Sequence, residues 1–303
     1  MTTATFPAEP GRATSHPAPR GGASVDEGRR KLVLAAVDTT AAAGPVLETA
    51  RRVAEMAGSA MEAVHVDEDG RPEGTGRPGA LEDLVRRAGA PFRRLVGPVD
   101  ETLLDAVDAP GVTVAVVGAR ATPEGRRPVG RTARHLLRHT ARPVVVVPPT
   151  AVPTGPFRCV LLPMEGTASS SEPVLQALLP LLAPDVDLVV LHVFTDRTLP
   201  RMLDRSPRDL ELLGREFLAT HCPPAARIDL RPGPVASTVA EAAERHGADL
   251  VVLSWAQDDS DGRARVVGDV LAASDLPVLM LPAGARRVDH RPYRGPGPPA
   301  HRG

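Results

Sequence analysis

Residues 31–40, KLVLAAVDTT, are answered by residues 158–167, RCVLLPMEGT. In each, a short apolar run ends beside an acid, Asp38 in the first and Glu165 in the second. A run of that length bounded by turn-forming residues reads as a buried strand. The correspondence continues outward in one order. EAVHVDED (62–69) matches LVVLHVFTD (188–196), and LVGPVDETLLDAV (95–107) matches LRPGPVASTVAEAA (230–243). VTVAVVGAR (112–120) then matches ADLVVLSWA (248–256), and ARPVVVVPP (141–149) matches DLPVLMLPA (275–283). Five landmarks in the same order make the chain two copies of one domain. We place the copies at residues 31–150 and 157–283, with a short, stiff, proline-containing link at 151–156.

Between the apolar runs lie segments of helical period. GPVLETARRVAEMA (from Gly44) spaces Val46, Ala50, Val53 and Ala57 along one face, and EPVLQALLPLLA (from Glu172) is its counterpart. Ser169 ahead of Glu172 predicts a capping box at the start of that second helix. Further helices are expected at ALEDLVRRAG, DETLLDAV, RDLELLGREFLATH and STVAEAAERHG. Strands alternating with helices predict α/β architecture: two tandem doubly wound, Rossmann-like domains, each with a parallel five-stranded sheet. Such sheets bind ligands beyond the carboxyl ends of the strands, where the winding reverses. The loops after the first and fourth strands are therefore the ones that matter.

Composition bounds the function. The chain has 303 residues and a formal net charge of −1, which argues against nucleic-acid binding by bulk charge. Aromatic residues make up only 2%, so Val, Leu and Ala must build the cores. Lys31 is the only lysine; arginine carries the positive charge. Cys159 and Cys222 suggest no disulfide framework, and a reducing cytoplasm fits them. No apolar run is long enough to span a membrane, and residues 1–30 lack the apolar core of a signal peptide. Residues 1–30 and 284–303 are rich in Pro, Gly, Ala and Arg and read as disordered tails.

The loop after the fourth strand carries the chemistry. VVGARATPEGRRPVGRT (116–132) places glycines at a strand end and before a helix, which suggests a phosphate cradle. Its GRRPVGRT (125–132) imitates a P-loop, but Arg131 stands where the lysine should be and Pro128 removes a backbone donor. A P-loop also follows the first strand of its domain, not the fourth. Neither first-strand turn carries a dinucleotide fingerprint. His135 and His139 lie four apart on a helix but lack the companions of a zinc site. No nucleophile has a base beside it in sequence, so no enzymatic activity is expected.

Together these landmarks resemble universal stress protein domains of the UspA type, once in each copy. The resemblance rests on Val37-Asp38, on His65-Val66 and His192-Val193, on the Gly-Pro-plus-helix element, on Ala248-Asp249 and on the closing Pro-Val strands. It implies an adenine nucleotide alpha hydrolase-type fold and a stress-response regulatory protein. It also implies an internal pseudo-dimer through the last strands, with room for a homodimer and for an unidentified protein partner. ATP-binding members carry Gly, two residues, Gly, nine residues, then Gly with Ser or Thr. Carried onto the first copy, this implies an ATP or AMP site at Asp38, Thr39, Val66, Gly118, Arg120, Gly130, Arg131 and Thr132. Ala121 replaces the second glycine, and Arg131 takes the hydroxyl position. Arg126, Arg127 and Arg131 are read either as an anion site or as a solvated loop, and both readings stay open. In the second copy Leu253 replaces the strand-end glycine, and Asp269 after Gly268 is expected to fill the anion site itself, with Asp258, Asp259 and Asp261 repelling phosphate. No cofactor is expected there, and Trp255 is expected to cover a closed pocket rather than to stack on a ligand. The functional readings are a nucleotide sensor, a nucleotide-free scaffold acting through protein contacts, and a slow ATPase.

Overall fold

The structure, a computed structural model, describes residues 31–68, 79–120, 129–152, 155–165, 168–194, 207–223, 226–257 and 263–282. Both expected tails lie outside these residues. The first half runs β1 (Leu32–Ala36), α1 (Ala43–Met56), β2 (Ala60–Asp67), α2 (Ala80–Arg87), β3 (Phe92–Val96), α3 (Val99–Asp108), β4 (Val112–Gly118), α4 (Arg131–His139) and β5 (Val144–Val147). The second runs β6 (Cys159–Pro163), α5 (Ala168–Leu178), β7 (Asp187–Phe194), α6 (Pro207–His221), β8 (Arg227–Pro232), α7 (Val235–His246), β9 (Leu250–Trp255), α8 (Arg263–Ala273) and β10 (Val278–Pro282).

All ten strands form one sheet, ordered β3-β2-β1-β4-β5-β10-β9-β6-β7-β8. Within each half the pairings are parallel; the halves meet where β5 pairs antiparallel with β10, Val146 opposite Val278 and Val144 opposite Met280. That junction leaves neither closing strand as an open edge. The central strands are buried on both faces, which is why they read as unbroken apolar runs: all four residues of β5 are buried. Alternate residues feed two cores. Val145, Val147, Leu279 and Leu281 join one with α1 and α5, while Val144, Val146, Val278 and Met280 join the other with α3, α4 and α7. Each core therefore runs through both halves.

The Gly-Pro element recurs with the same geometry. Gly97 (φ +147°) and Gly233 (φ +143°) adopt a backbone that side chains avoid. Each is followed by proline and a helix whose Thr102 or Thr238 hydroxyl lies where a Cβ would project, at 2.6 and 2.8 Å. This turn swings the chain from β3 into α3, and from β8 into α7.

Two helix starts differ from expectation. α5 begins at Ala168, so Ser169 lies inside its first turn rather than capping it, and Glu172 instead accepts from Gln176 at 3.0 Å. α8 begins at Arg263, which places Gly268 and Asp269 in the middle of the helix rather than at its entrance.

Candidate functional site

In the first half the chain leaves β1 toward β2 and returns through β4, so the carboxyl ends of β1 and β4 diverge and open a crevice. A cleft of about 370 Å³ lies there, within the size range of small-molecule sites. Asp38, Val66, Gly118, Arg120, Gly130, Arg131 and Thr132 all line it, with Ala42 and Val46 of the α1 wall. Thr39 does not line it; its side chain is exposed, and it is the next residue, Thr40, that holds Asp38. The Thr40 hydroxyl and amide donate to Asp38 Oδ1 at 2.6 and 2.9 Å, fixing the carboxylate at the mouth. Ala121, Arg126 and Arg127 lie outside the described residues.

Neither glycine is needed for a positive φ, and only Gly130 is tight in space. Gly130 sits at φ −60° as the residue before α4. A Cβ there would stand 3.3 Å from the Ala119 carbonyl, and one on Gly118 would stand 3.5 Å from Ala42 Cβ. The Gly130 amide already donates to Ala119 O at 2.8 Å. The next amides, at the head of α4, have no capping side chain, and such first-turn N–H groups attract anions.

Asp100, in the first turn of α3, is the residue that sequence reasoning missed. Thr132 Oγ1 donates to its Oδ1 at 2.9 Å, and Arg131 Nε lies 3.3 Å from its Oδ2. The only sequence signal was an acid just after the Gly-Pro turn.

His65 forms the floor between β1 and β2. Its Nδ1–H donates to Val37 O at 2.8 Å, and Nε2 faces Asp67 Oδ1 at 3.2 Å. Arg94 donates to Asp67 Oδ2 at 3.0 Å and also binds Glu82, holding the Glu82 carboxyl below its usual range. His192 makes the same lock in the second half, 2.9 Å from Met164 O. Both histidines thus tie the second strand to the end of the first.

The second half is built differently. Ala264 lies as far before Pro277 as Gly130 lies before Pro143, so Ala264, Arg265 and Val266 are the counterparts of Gly130, Arg131 and Thr132. The expected anion-site role of Asp269 is therefore corrected: it lies a turn into α8, 3.9 Å from Arg265. Asp258, Asp259 and Asp261 fall outside the described residues. The expected replacement of the strand-end glycine by Leu253 is one residue out: Ser254 pairs with Leu281 as Gly118 pairs with Val147, so Ser254 stands at the Gly118 position, and Leu253 before it is buried. Trp255 is buried and turned toward the first half. Its indole N–H donates across the junction to Leu137 O at 3.1 Å, and Gln257 Nε2 donates to Thr140 O at 2.5 Å. These carbonyls end α4, where helical partners run out. The strained φ of +58° at Gln257 serves that reach.

No other chemistry assembles. Burial pushes the Cys222 thiol up to about 11 and Cys159 up as well, so neither is a reactive thiolate. His135 and His139 stack with ring centres 4.2 Å apart, and His139 Nδ1 bonds to His135 O. Among the described residues no group of three or more His, Cys, Asp or Glu could hold a metal, and no helix is long and apolar enough to cross a membrane.

The comparisons with known proteins agree with this architecture. No curated protein sequence matches the chain significantly. Among solved structures, a universal stress protein from Archaeoglobus fulgidus is similar at 15% identity and a TM-score of 0.56, covering 84% of this chain and 100% of that one. A functionally unknown protein from Pseudomonas aeruginosa reaches a TM-score of 0.62 at 15% identity, over 84% and 92% of the two chains. Another Pseudomonas aeruginosa structure, described as a putative universal stress protein, reaches 0.59 at 16%, over 84% and 94%. These likenesses speak for the fold. The universal stress protein family model matches twice, over residues 29–148 and 156–282. The repeat read from KLVLAAVDTT and RCVLLPMEGT, the continuous double sheet and this paired match have one explanation: the chain is a tandem member of the universal stress protein family.

Proposed function

We propose that this chain is a stress-response regulator that binds an adenine nucleotide, ATP or AMP, in its first half only. The observation that carries the reading is the cleft of about 370 Å³ that brings Asp38, Val66, Gly118, Gly130 and Thr132 together at the ends of β1 and β4. The fit is good on the base side: Val66 and Val37 offer apolar wall, and Thr40 fixes Asp38 as an acceptor at the rim. Phosphate would approach the uncapped amides of α4, where Gly130 leaves the room a side chain would fill. Ser254, Ala264 and Val266, the counterparts in the second half, put side chains where the first half has Gly118 and Gly130 and an apolar group where it has the Thr132 hydroxyl. We assign binding without turnover: of the described residues that line the cleft, His65 is turned to Val37 O and Asp67, and Asp38 Oδ1 is held by Thr40. The two free cysteines suit a cytoplasmic setting.

Equilibrium titration of the full chain with labelled ATP and AMP tests this. Saturable binding is expected below millimolar nucleotide, and its loss in Gly130→Asp. No binding at millimolar concentration refutes the reading, and a nucleotide-free scaffold takes its place. Hydrolysis faster than that of Asp38→Ala would overturn the assignment of binding alone.

A further inference from the structure

We propose that Asp100 sets how many phosphates the cleft accepts, and that it selects AMP over ATP. The inference rests on the nucleotide reading above and deepens it. Asp100 presents a carboxylate to the two side chains at the head of α4: one oxygen receives the Thr132 hydroxyl at 2.9 Å, the other lies 3.3 Å from Arg131 Nε. These are the hydroxyl and the cation that a phosphate chain would use. A built-in anion already holds them.

The ordinary role of such an acid would be to cap its own helix. Asp100 lies past the N-cap position, which Pro98 holds; an acid in this first turn suits the helix dipole, but both its carboxylate oxygens turn to α4. The fold does not need it either, and the second half of the chain shows this directly. Counting from Gly97 and Gly233, Asp100 corresponds to Ala236; counting from Pro143 and Pro277, Thr132 corresponds to Val266. The half that has lost the strand-end glycine has lost the acid and the hydroxyl too, and its Arg265 pairs with Asp269 inside α8 instead. The acid and the hydroxyl go with the cleft, while the arginine is kept in both halves.

A carboxylate at this point has two effects on a ligand. It competes for Arg131 and Thr132, and from behind these two lining residues it repels negative charge brought to them. Adenosine feels neither effect. A single phosphate can use the α4 amides beside Asp100. Each further phosphate adds charge that must either displace the carboxylate or lie against it.

Adenosine, AMP and ATP are titrated, without divalent cations, into the full chain and into Asp100→Asn, with Glu101→Gln as the control, a neighbouring exposed acid of α3. Wild type is expected to bind AMP more tightly than ATP. Asp100→Asn should raise ATP affinity by about tenfold, AMP affinity less, and adenosine affinity by under twofold; Glu101→Gln should keep the wild-type order. Tighter binding of ATP than AMP by wild type overturns the proposal without recourse to any variant, and leaves the nucleotide reading standing. So does an equal shift of all three ligands in Asp100→Asn. If no ligand binds either wild type or variant, the nucleotide reading itself falls, and the role of Asp100 with it.

Discussion

Gly97 and Gly233 show how a single position can fix a turn. Both hold φ near +145°, a region open to glycine alone, and both face a threonine hydroxyl at a distance no Cβ tolerates. Gly97→Ala is therefore expected to cost about 3 kcal/mol through backbone strain and the clash with Thr102. Gly58 supplies the comparison: at φ +58° with open space around it, Gly58→Ala should cost about 1 kcal/mol. Urea midpoints at constant slope separate the two; equal losses would mean that the Thr102 contact contributes nothing. Asp229 makes a second prediction at this scale. Burial works against its charge, but hydrogen bonds from Arg231 at 2.7 Å and His246 at 2.8 Å win and hold the carboxyl below its ordinary 3.8. A carboxyl depressed in the folded state stabilises above its unfolded value and loses that contribution as pH falls through the folded one. Asp229→Asn should accordingly melt below wild type at pH 7, with the gap closing once pH drops under about 3.8. A gap that stays constant to low pH would show that packing, not charge, is what the substitution removes.

The same helix, placed in the two halves, shows what a sequence can and cannot reveal. The strands were legible because burial on both faces leaves runs such as VVVV (144–147) with no competing pattern. The topology followed, because short crossovers between such strands permit little else. α8 was not legible. Its sequence holds a Gly-Asp pair that imitates a phosphate-loop end, and nothing local distinguishes that from a mid-helix glycine. Only the fixed spacing back from Pro277, set by packing of α8 on the sheet, gives the true register. The cleft residues Gly118 and Gly130 were found from the loop pattern and Asp38 from the family resemblance; Asp100 was not, because its partners lie beyond the rest of its helix and a whole strand further on. Gly268 tests the register of α8. In a helix interior with nothing within 4 Å of its would-be Cβ, Gly268→Ala should stabilise the protein by about 1 kcal/mol. A glycine required by a phosphate loop would respond in the opposite direction, and the melting temperature reads the sign.

At the scale of the whole molecule, the end of β9 in the second half grips the first. Trp255 and Gln257 cap the end of the helix whose head lines the cleft. On the other face of the sheet Arg52 of α1 is buried, its guanidinium 3.9 Å over the Phe157 ring and 3.5 Å from Asp249. Burial pushes that guanidinium's pKa down against the pull of Asp249. The pair is not symmetric in its consequences. Asp249 also accepts from the Arg158 and Cys159 amides at 2.7 and 3.0 Å, so losing Arg52 leaves it partnered. Losing Asp249 leaves a buried cation and two amides without their carboxylate. Asp249→Ala is thus expected to cost about 3–5 kcal/mol, whereas Arg52→Met, apolar and similar in length, should cost little. The chain's one tryptophan sits on this junction, so its fluorescence follows the interface while far-ultraviolet circular dichroism follows the helices. In wild type the two signals should change together on unfolding, because each hydrophobic core passes through both halves. In Asp249→Ala the Trp255 signal should move first, since the junction then opens before either half unfolds. Coincident transitions in that variant would mean that the β5–β10 pairing and the shared cores hold the halves together without the Arg52 contact.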